Sequence, residues 1–130
     1  MGWEKKNPMT WEKKVWGEVR HLFASDRAAV SFLRLKQGFQ CSQHYHLQRA
    51  NQFLVLSGSV KIEEWATKFD RTGTKTTLKA GQVYTVPSLV AHRFHVIEDG
   101  EIIELYWPDR GGSVQLDDIV RLDQGGPIGD

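Results

Sequence analysis

A chain of 130 residues, 40% apolar and 25% charged, is sized for one soluble globular domain whose core needs no covalent staples. Its formal net charge of +1 supplies no field that would draw nucleic acid or an anionic membrane. No apolar run approaches the roughly 20 residues that span a bilayer. The single cysteine, Cys41, excludes an intrachain disulfide and agrees with a reducing compartment. The opening residues lack the apolar region of a signal peptide, so a cytoplasmic location is expected. Five tryptophans imply a large aromatic contribution to a core or an interface.

In chain order, residues 1–14 are polar with interspersed tryptophans and carry Trp-Glu-Lys-Lys twice, at 3–6 and 11–14. Copies this short do not make a repeat architecture, and the segment reads as a flexible arm. Its lysine pairs, Lys5–Lys6 and Lys13–Lys14, read as a solvated face. From residue 15 the pattern changes to short β-prone runs punctuated by turn signals. Residues 19–24 alternate and stop at Ser25-Asp26. Residues 28–36 form a strand ending at Gln37-Gly38, and 41–47 follow. Phe53 to Leu56 are apolar on both faces, as in a central strand buried on both sides. Ser57-Gly58 turns the chain into 59–65, where Val60 and Ile62 alternate with Lys61 and Glu63.

Residues 69–73 read as a polar hairpin tip, 74–78 as a strand closed by Ala80-Gly81, and 83–86 as a strand ending at Pro87. Residues 92–97 and 101–107 flank a turn at Glu98-Asp99-Gly100. The loop 108–113 leads into 114–122, an edge strand or a short helix, and 124–130 reads as a mobile tail. The expected organisation is an arm at 1–14, a barrel domain at 15–123 and a tail at 124–130. About nine or ten strands without helical periodicity imply an all-β antiparallel structure, because closure removes exposed edges; a jelly-roll barrel is the economical form.

His44 and His46 stand two apart, so on a strand both imidazoles point to the same face. His92 opens another apolar strand after Pro87. Neutral imidazoles converging inside a barrel suit Zn, Fe, Mn, Ni or Cu. An isolated His-x-His is more often structural, and from this spacing alone the histidines can equally be unrelated. His21 and His95 read as surface or core residues.

These positions resemble those of the cupins. The first cupin motif, Gly-x5-His-x-His-x3–4-Glu-x6-Gly, is matched by Gly38, His44, His46, Asn51 and Gly58. The second, Gly-x5-Pro-x-Gly-x2-His, is matched by Gly81, Pro87, Leu89 and His92. The resemblance implies a small single-domain double-stranded β-helix holding a divalent metal ion (Zn, Fe, Mn or Ni) on His44, His46 and His92. Asn51 and Leu89 depart from the motifs. In metal-binding cupins the Glu at the position of Asn51 is the anionic ligand, whereas an Asn offers a neutral carbonyl oxygen or nothing. Losing that charge weakens metal binding and leaves a more cationic ion, which favours anionic ligands. Gln52 could stand in but should point to the opposite face.

A narrower resemblance is to the cupin-type phosphomannose isomerases. It rests on His46-Leu47-Gln48-Arg49-Ala50-Asn51 followed by Val55-Leu56-Ser57-Gly58, on His92-Arg93, on Ile102-Ile103-Glu104, on Asp117 to Arg121 and on Trp16-Gly17. It implies a sugar-phosphate isomerase working through an enediolate, with a sugar or sugar phosphate as substrate. Arg49 and Arg93 would hold phosphate or neutralise charge. Glu104, in an apolar strand, would shuttle the proton. Ordinary surface roles for both arginines, and a rim carboxylate for Glu104, are the competing readings. Two other functions stay open. A three-histidine iron centre resembles that of thiol dioxygenases, with Cys41 beside the first motif. A sugar-binding role without catalysis fits the same fold. By analogy with small cupins, a homodimer is expected.

Overall fold

The computed structural model describes residues 10–67 and 69–129. Residues 1–9 of the expected arm, with the first Trp-Glu-Lys-Lys copy and the Lys5–Lys6 pair, lie outside the described residues. The described residues contain no helix, and none is therefore long and apolar enough to cross a membrane. In chain order the strands are β1 (Glu12–Lys14), β2 (Gly17–Ala24), β3 (Ala29–Leu35), β4 (Phe39–Gln40), β5 (His44–Tyr45) and β6 (Ala50–Trp65). They continue with β7 (Thr74–Lys79), β8 (Val83–Val86), β9 (Ala91–Trp107), β10 (Val120–Arg121) and β11 (Gly126–Pro127).

β6 and β9 run antiparallel along their whole lengths and form the spine of the barrel. One half of the spine carries β3, β2 and β1 on the β9 side and β8 on the β6 side. The other half carries β7 on the β6 side and β4 and β5 on the β9 side. Two sheets thus share two bent strands, which is the expected all-β cupin barrel. Between the sheets lie Leu33, Phe53, Val55, Val60, Ile62, Val96 and Ile102, all essentially inaccessible.

The bend explains two expected turns that are not turns. Ser57-Gly58 and Glu98-Asp99-Gly100 sit inside the continuous β6 and β9, at register shifts opposite one another. The irregularity changes which positions of β6 face inward. Asn51, Phe53 and Val55 are buried before it, and Val60 and Ile62 after it. One extra residue in a strand moves the apolar set to the other parity, as a bulge must.

Four other segments differ from expectation. Residues 41–47 form only the short β5, within a largely irregular stretch. Residues 114–122 are neither a helix nor a full strand and contribute only β10. The ends of the expected arm and tail are tied down: β1 pairs with β2 from Glu12, and β11 pairs with β4. Ile128 also donates its amide to the Gly38 carbonyl at 2.8 Å. The sheet recruits these ends because each covers backbone groups that an edge strand would leave without partners.

Candidate metal centre

β5 and β9 place His44 opposite His92 in register, and His46 follows two residues on. The three rings are buried, at 9%, 2% and 1% exposure for His44, His46 and His92. Their centroids lie 5.0 Å (His44–His46), 4.5 Å (His44–His92) and 5.2 Å (His46–His92) apart. Each offers a ring nitrogen within 4.8 Å of the other two. Nitrogens about 2.0–2.1 Å from one ion lie at most about 4.2 Å apart, so a side-chain adjustment of under about 1 Å closes the set.

The hydrogen bonds choose the tautomer. Nδ1 of His44 meets the Ser42 carbonyl at 2.7 Å, Nδ1 of His46 the Asp118 carbonyl at 2.6 Å, and Nδ1 of His92 the Val90 carbonyl at 2.8 Å. A carbonyl only accepts, so each Nδ1 carries the proton and each Nε2 presents a bare lone pair. Nε2 of His46 is buried without a partner. Burial holds all three rings neutral: His46 is pushed down to about 2, His92 to about 4, and His44 well below its ordinary value. Arg49 adds to the depression of His46. Three oriented, neutral nitrogens with an orphaned acceptor among them fit a divalent cation.

Leu89, where the second motif carries Gly, adopts a φ of 70°. The chain accepts this uncommon conformation for a leucine and uses the amide, which donates to the His46 carbonyl at 2.7 Å.

Asn51 is fully buried beside the histidines, and its carbonyl oxygen is buried without a hydrogen-bond partner. Its Nδ2 donates to Glu104 Oε2 at 2.9 Å and lies 3.5 Å from His92 Nε2. In this orientation its amide nitrogen bridges His92 and the Glu104 carboxylate. Gln52 points to the outer face, as expected, and donates to Thr85. Glu104 is buried, and desolvation raises its pKa against the opposing hydrogen bonds from Asn51 and Tyr106.

His44 and His46 open onto a cavity of about 770 Å³, which is also lined by Arg49, Glu104 and Tyr106. Arg49 is 5% exposed, stacks 4.1 Å over the Tyr106 ring and donates to the Gln115 carbonyl at 2.7 Å, while its Nε is buried without a partner. Arg93 is not part of the site. Strand alternation turns it away from His92, and it holds the Cys41 carbonyl and the Asp123 carboxylate instead. Cys41 is a core residue. Burial pushes its thiol up to about 12, and its Sγ accepts from the Phe94 amide.

His21 and His95 lie apart from the cluster, against Ser31 and Glu63. The sequence pattern singles out neither Tyr106 nor Gln115, and it marks Asp118 only as part of the Asp117 to Arg121 run.

The fold is the cupin barrel, and three buried histidines inside it are arranged so that they could hold a divalent ion. No protein-family model and no curated protein matches the chain. Among solved structures, Bacillus subtilis oxalate decarboxylase superposes with a TM-score of 0.71 at 21% identity, covering 87% of this chain and 30% of that one. Its Mn(II) centres are the subject of one such structure. KdgF from Halomonas sp. superposes with a TM-score of 0.65 at 17% identity, over 78% of this chain and 87% of that one. CapF, solved with the inhibitor 3-isopropenyl-tropolone, gives 0.68 at 20% identity, over 88% and 34%. At these identities the likeness is one of fold. This chain spans about a third of the length of the decarboxylase.

Replacing His92 with Ala is expected to remove most bound metal, because two remaining nitrogens no longer enclose an ion. Elemental analysis of protein purified without chelators checks this; stoichiometric metal in the variant would exclude His92 as a ligand.

Proposed function

We propose that the chain is a metal-dependent isomerase of a small phosphorylated sugar, moving one proton between neighbouring carbons. The observation that carries this reading is the buried Glu104, joined through the Asn51 amide to the edge of the histidine cluster and facing the same cavity as Arg49. A divalent ion on His44, His46 and His92 supplies Lewis acidity towards a carbonyl and its neighbouring hydroxyl. The Glu104 carboxylate takes the proton from the carbon beside the carbonyl. The released electron pair forms the carbon–carbon double bond of the enediolate, and the carbonyl π pair moves to oxygen. The proton of the neighbouring hydroxyl passes to the former carbonyl oxygen, and Glu104 returns the abstracted proton to the carbon that bore that oxygen, which leaves the isomeric carbonyl with no co-reactant consumed. Asn51 Nδ2 fixes the carboxylate during both transfers, and burial keeps its basicity above that of an exposed glutamate.

Arg49 is the residue placed for the phosphate. Its guanidinium is oriented by Tyr106 and by the Gln115 carbonyl, with Nε uncommitted. Arg49→Lys is expected to raise KM about 10- to 100-fold, the worth of a charge-assisted hydrogen bond of ~1.5–3 kcal/mol. Steady-state kinetics and competition by inorganic phosphate check this. An unchanged KM would remove Arg49 from the anion site. The reaction itself is tested by aldose–ketose interconversion with added Zn, Mn, Fe or Ni, and absence of turnover on every phosphorylated pentose and hexose tried sinks it.

One observation favours a second reading. Asn51 turns a donor, not an anion, towards the cluster, which leaves a neutral all-histidine set of the kind a thiol dioxygenase centre would use. Oxygen uptake with ferrous iron and a small thiol distinguishes the two. The buried, protonated Cys41 has no part in either.

A further inference from the structure

Two of the three imidazoles are aligned from within their own strand segments. His44 is held by the carbonyl of Ser42 and His92 by that of Val90, each two residues earlier. His46 is held from 72 residues away, by the carbonyl of Asp118. The same residue grips the backbone that follows His46: its carboxylate accepts from the Leu47 amide at 2.8 Å and the Gln48 amide at 2.9 Å. The chain then continues alongside the ligand segment. Val120 and Arg121 pair with Tyr45 and His44, and Leu122 donates to the Gln43 carbonyl. The Asp123 carboxylate accepts from the Gln43 amide. On its way this stretch supplies one wall of the cavity through Gln115, Leu116, Asp117, Ile119 and Arg121.

None of residues 115–129 is buried. Val114 anchors its start in a small cluster with Ala24, Ala29 and Tyr106, against which Leu116 packs; beyond that, polar clamps and short ladders hold the stretch. Such an element opens at a lower free energy than the spine strands do. Three of its clamps, all from Asp118, end on the His46 segment.

We infer that residues 114–123 form a strap linked to the metal centre, in which Asp118 positions His46 for the ion and an ion on His46 holds the strap against the cavity. The inference rests on the metal-centre reading and is independent of the reaction proposed above. The physical link is the Nδ1–H bond to the Asp118 backbone carbonyl, which the Asp118 carboxylate holds in place by its grip on the Leu47 and Gln48 amides. With it, the ring orientation and tautomer that present Nε2 are fixed. Without it, the ring loses its only fixed partner and rotates or moves its proton to Nε2, where it blocks coordination. Coupling of this kind is reciprocal: the factor by which a docked strap raises ion affinity is the factor by which the ion favours docking. The wall of the substrate cavity is then firmest when the metal is loaded.

The test uses the whole chain, zinc as the probe, and Asp118→Ala and Asp118→Asn. In metal-free wild type, histidine nitrogen NMR shifts should show all three ligand rings protonated at Nδ1. Asp118→Ala keeps the backbone carbonyl that His46 Nδ1 meets but removes the carboxylate that pins that carbonyl in place through the Leu47 and Gln48 amides, so only His46 should depart from this, with His44 and His92 as internal controls for folding. Zinc affinity of Asp118→Ala should fall about 10- to 100-fold, with Asp118→Asn in between because its amide oxygen still accepts one bond. In the wild type, zinc should slow hydrogen exchange at the Leu47 and Gln48 amides. This measurement needs no variant and stands even if Asp118→Ala fails to fold. Unchanged zinc affinity in a folded Asp118→Ala, or exchange at these amides that ignores zinc, overturns the linkage alone. A wild-type chain that takes up no divalent ion overturns the metal centre and the linkage with it.

Discussion

Glu104→Gln is expected to lower kcat by about 10²- to 10⁴-fold while leaving metal content unchanged, the range assigned to a positioned general acid–base. The substitution isolates proton transfer from structure. A carboxamide has the size of the carboxylate and still offers Asn51 Nδ2 an acceptor oxygen, so the bridge between Glu104 and the edge of the histidine cluster persists. The variant cannot hold the proton that the isomerisation moves between carbons. The pH profile supplies a second readout. Burial raises the pKa of Glu104, so the ascending limb of kcat should lie above the ordinary carboxylate range: Glu104 works ionised, and acidification silences it. That limb should vanish from the residual activity of Glu104→Gln. Deuterium from solvent should enter the wild-type product at the transferred position and should be lost from the variant in step with kcat. If Glu104→Gln keeps its turnover, or keeps the acid limb, the proton shuttle is another group.

What could be foreseen from sequence follows what strand geometry can carry. His44, His46 and His92 were legible because alternation places i and i+2 on one face and two spaced motifs named the strands. The same alternation placed Arg93 on the opposite face, and there it binds Asp123. Arg49 was legible as a candidate only through the resemblance. Its burial against Tyr106 depends on contacts between strands that no local pattern encodes.

Asn51 shows the limit most clearly. The motif mismatch announced a missing anion. The structure puts a buried carboxylate at Glu104 instead, on the neighbouring strand and two pairs along: Asn51 lies opposite Tyr106, and Phe53 opposite Glu104. A motif reads along one strand, whereas this exchange runs across two. The strap is invisible for a related reason. Its contacts with the ligand segment are made by backbone carbonyls and by carboxylates that look like any surface aspartate in sequence.

The two glycines read as turns carry the largest stability prediction. Gly58→Ala is expected to destabilise the fold by about 3 kcal/mol, the sum of a left-handed conformation at ~1–2 kcal/mol and overpacking at ~1–3 kcal/mol. Gly58 has φ +77°, and a Cβ there would stand 2.4 Å from the Asp99 carbonyl oxygen and 2.8 Å from the Gly100 Cα. On the facing strand, a Cβ at Gly100 would meet the Ser57 carbonyl oxygen at 2.0 Å. The two bulged backbones touch at the bend of the spine, and neither side can yield without moving the other. Gly38 and Gly81 provide the control: their φ values are +87° and +88°, and a Cβ at either would have no atom within 4 Å. Alanine at either should cost only the conformational part, ~1 kcal/mol. Thermal melts of the four single variants decide between the two causes, since each kcal/mol shifts Tm by about 2–8 °C in domains near this size. Equal losses at Gly58 and Gly38 would mean that the close approach of β6 to β9 contributes nothing. The contact matters beyond stability because the bend sets the angle between the half of β6 that carries Asn51 and the half of β9 that carries His92. A Gly58 variant that remains folded should therefore also bind zinc more weakly than wild type, and Gly81→Ala should not.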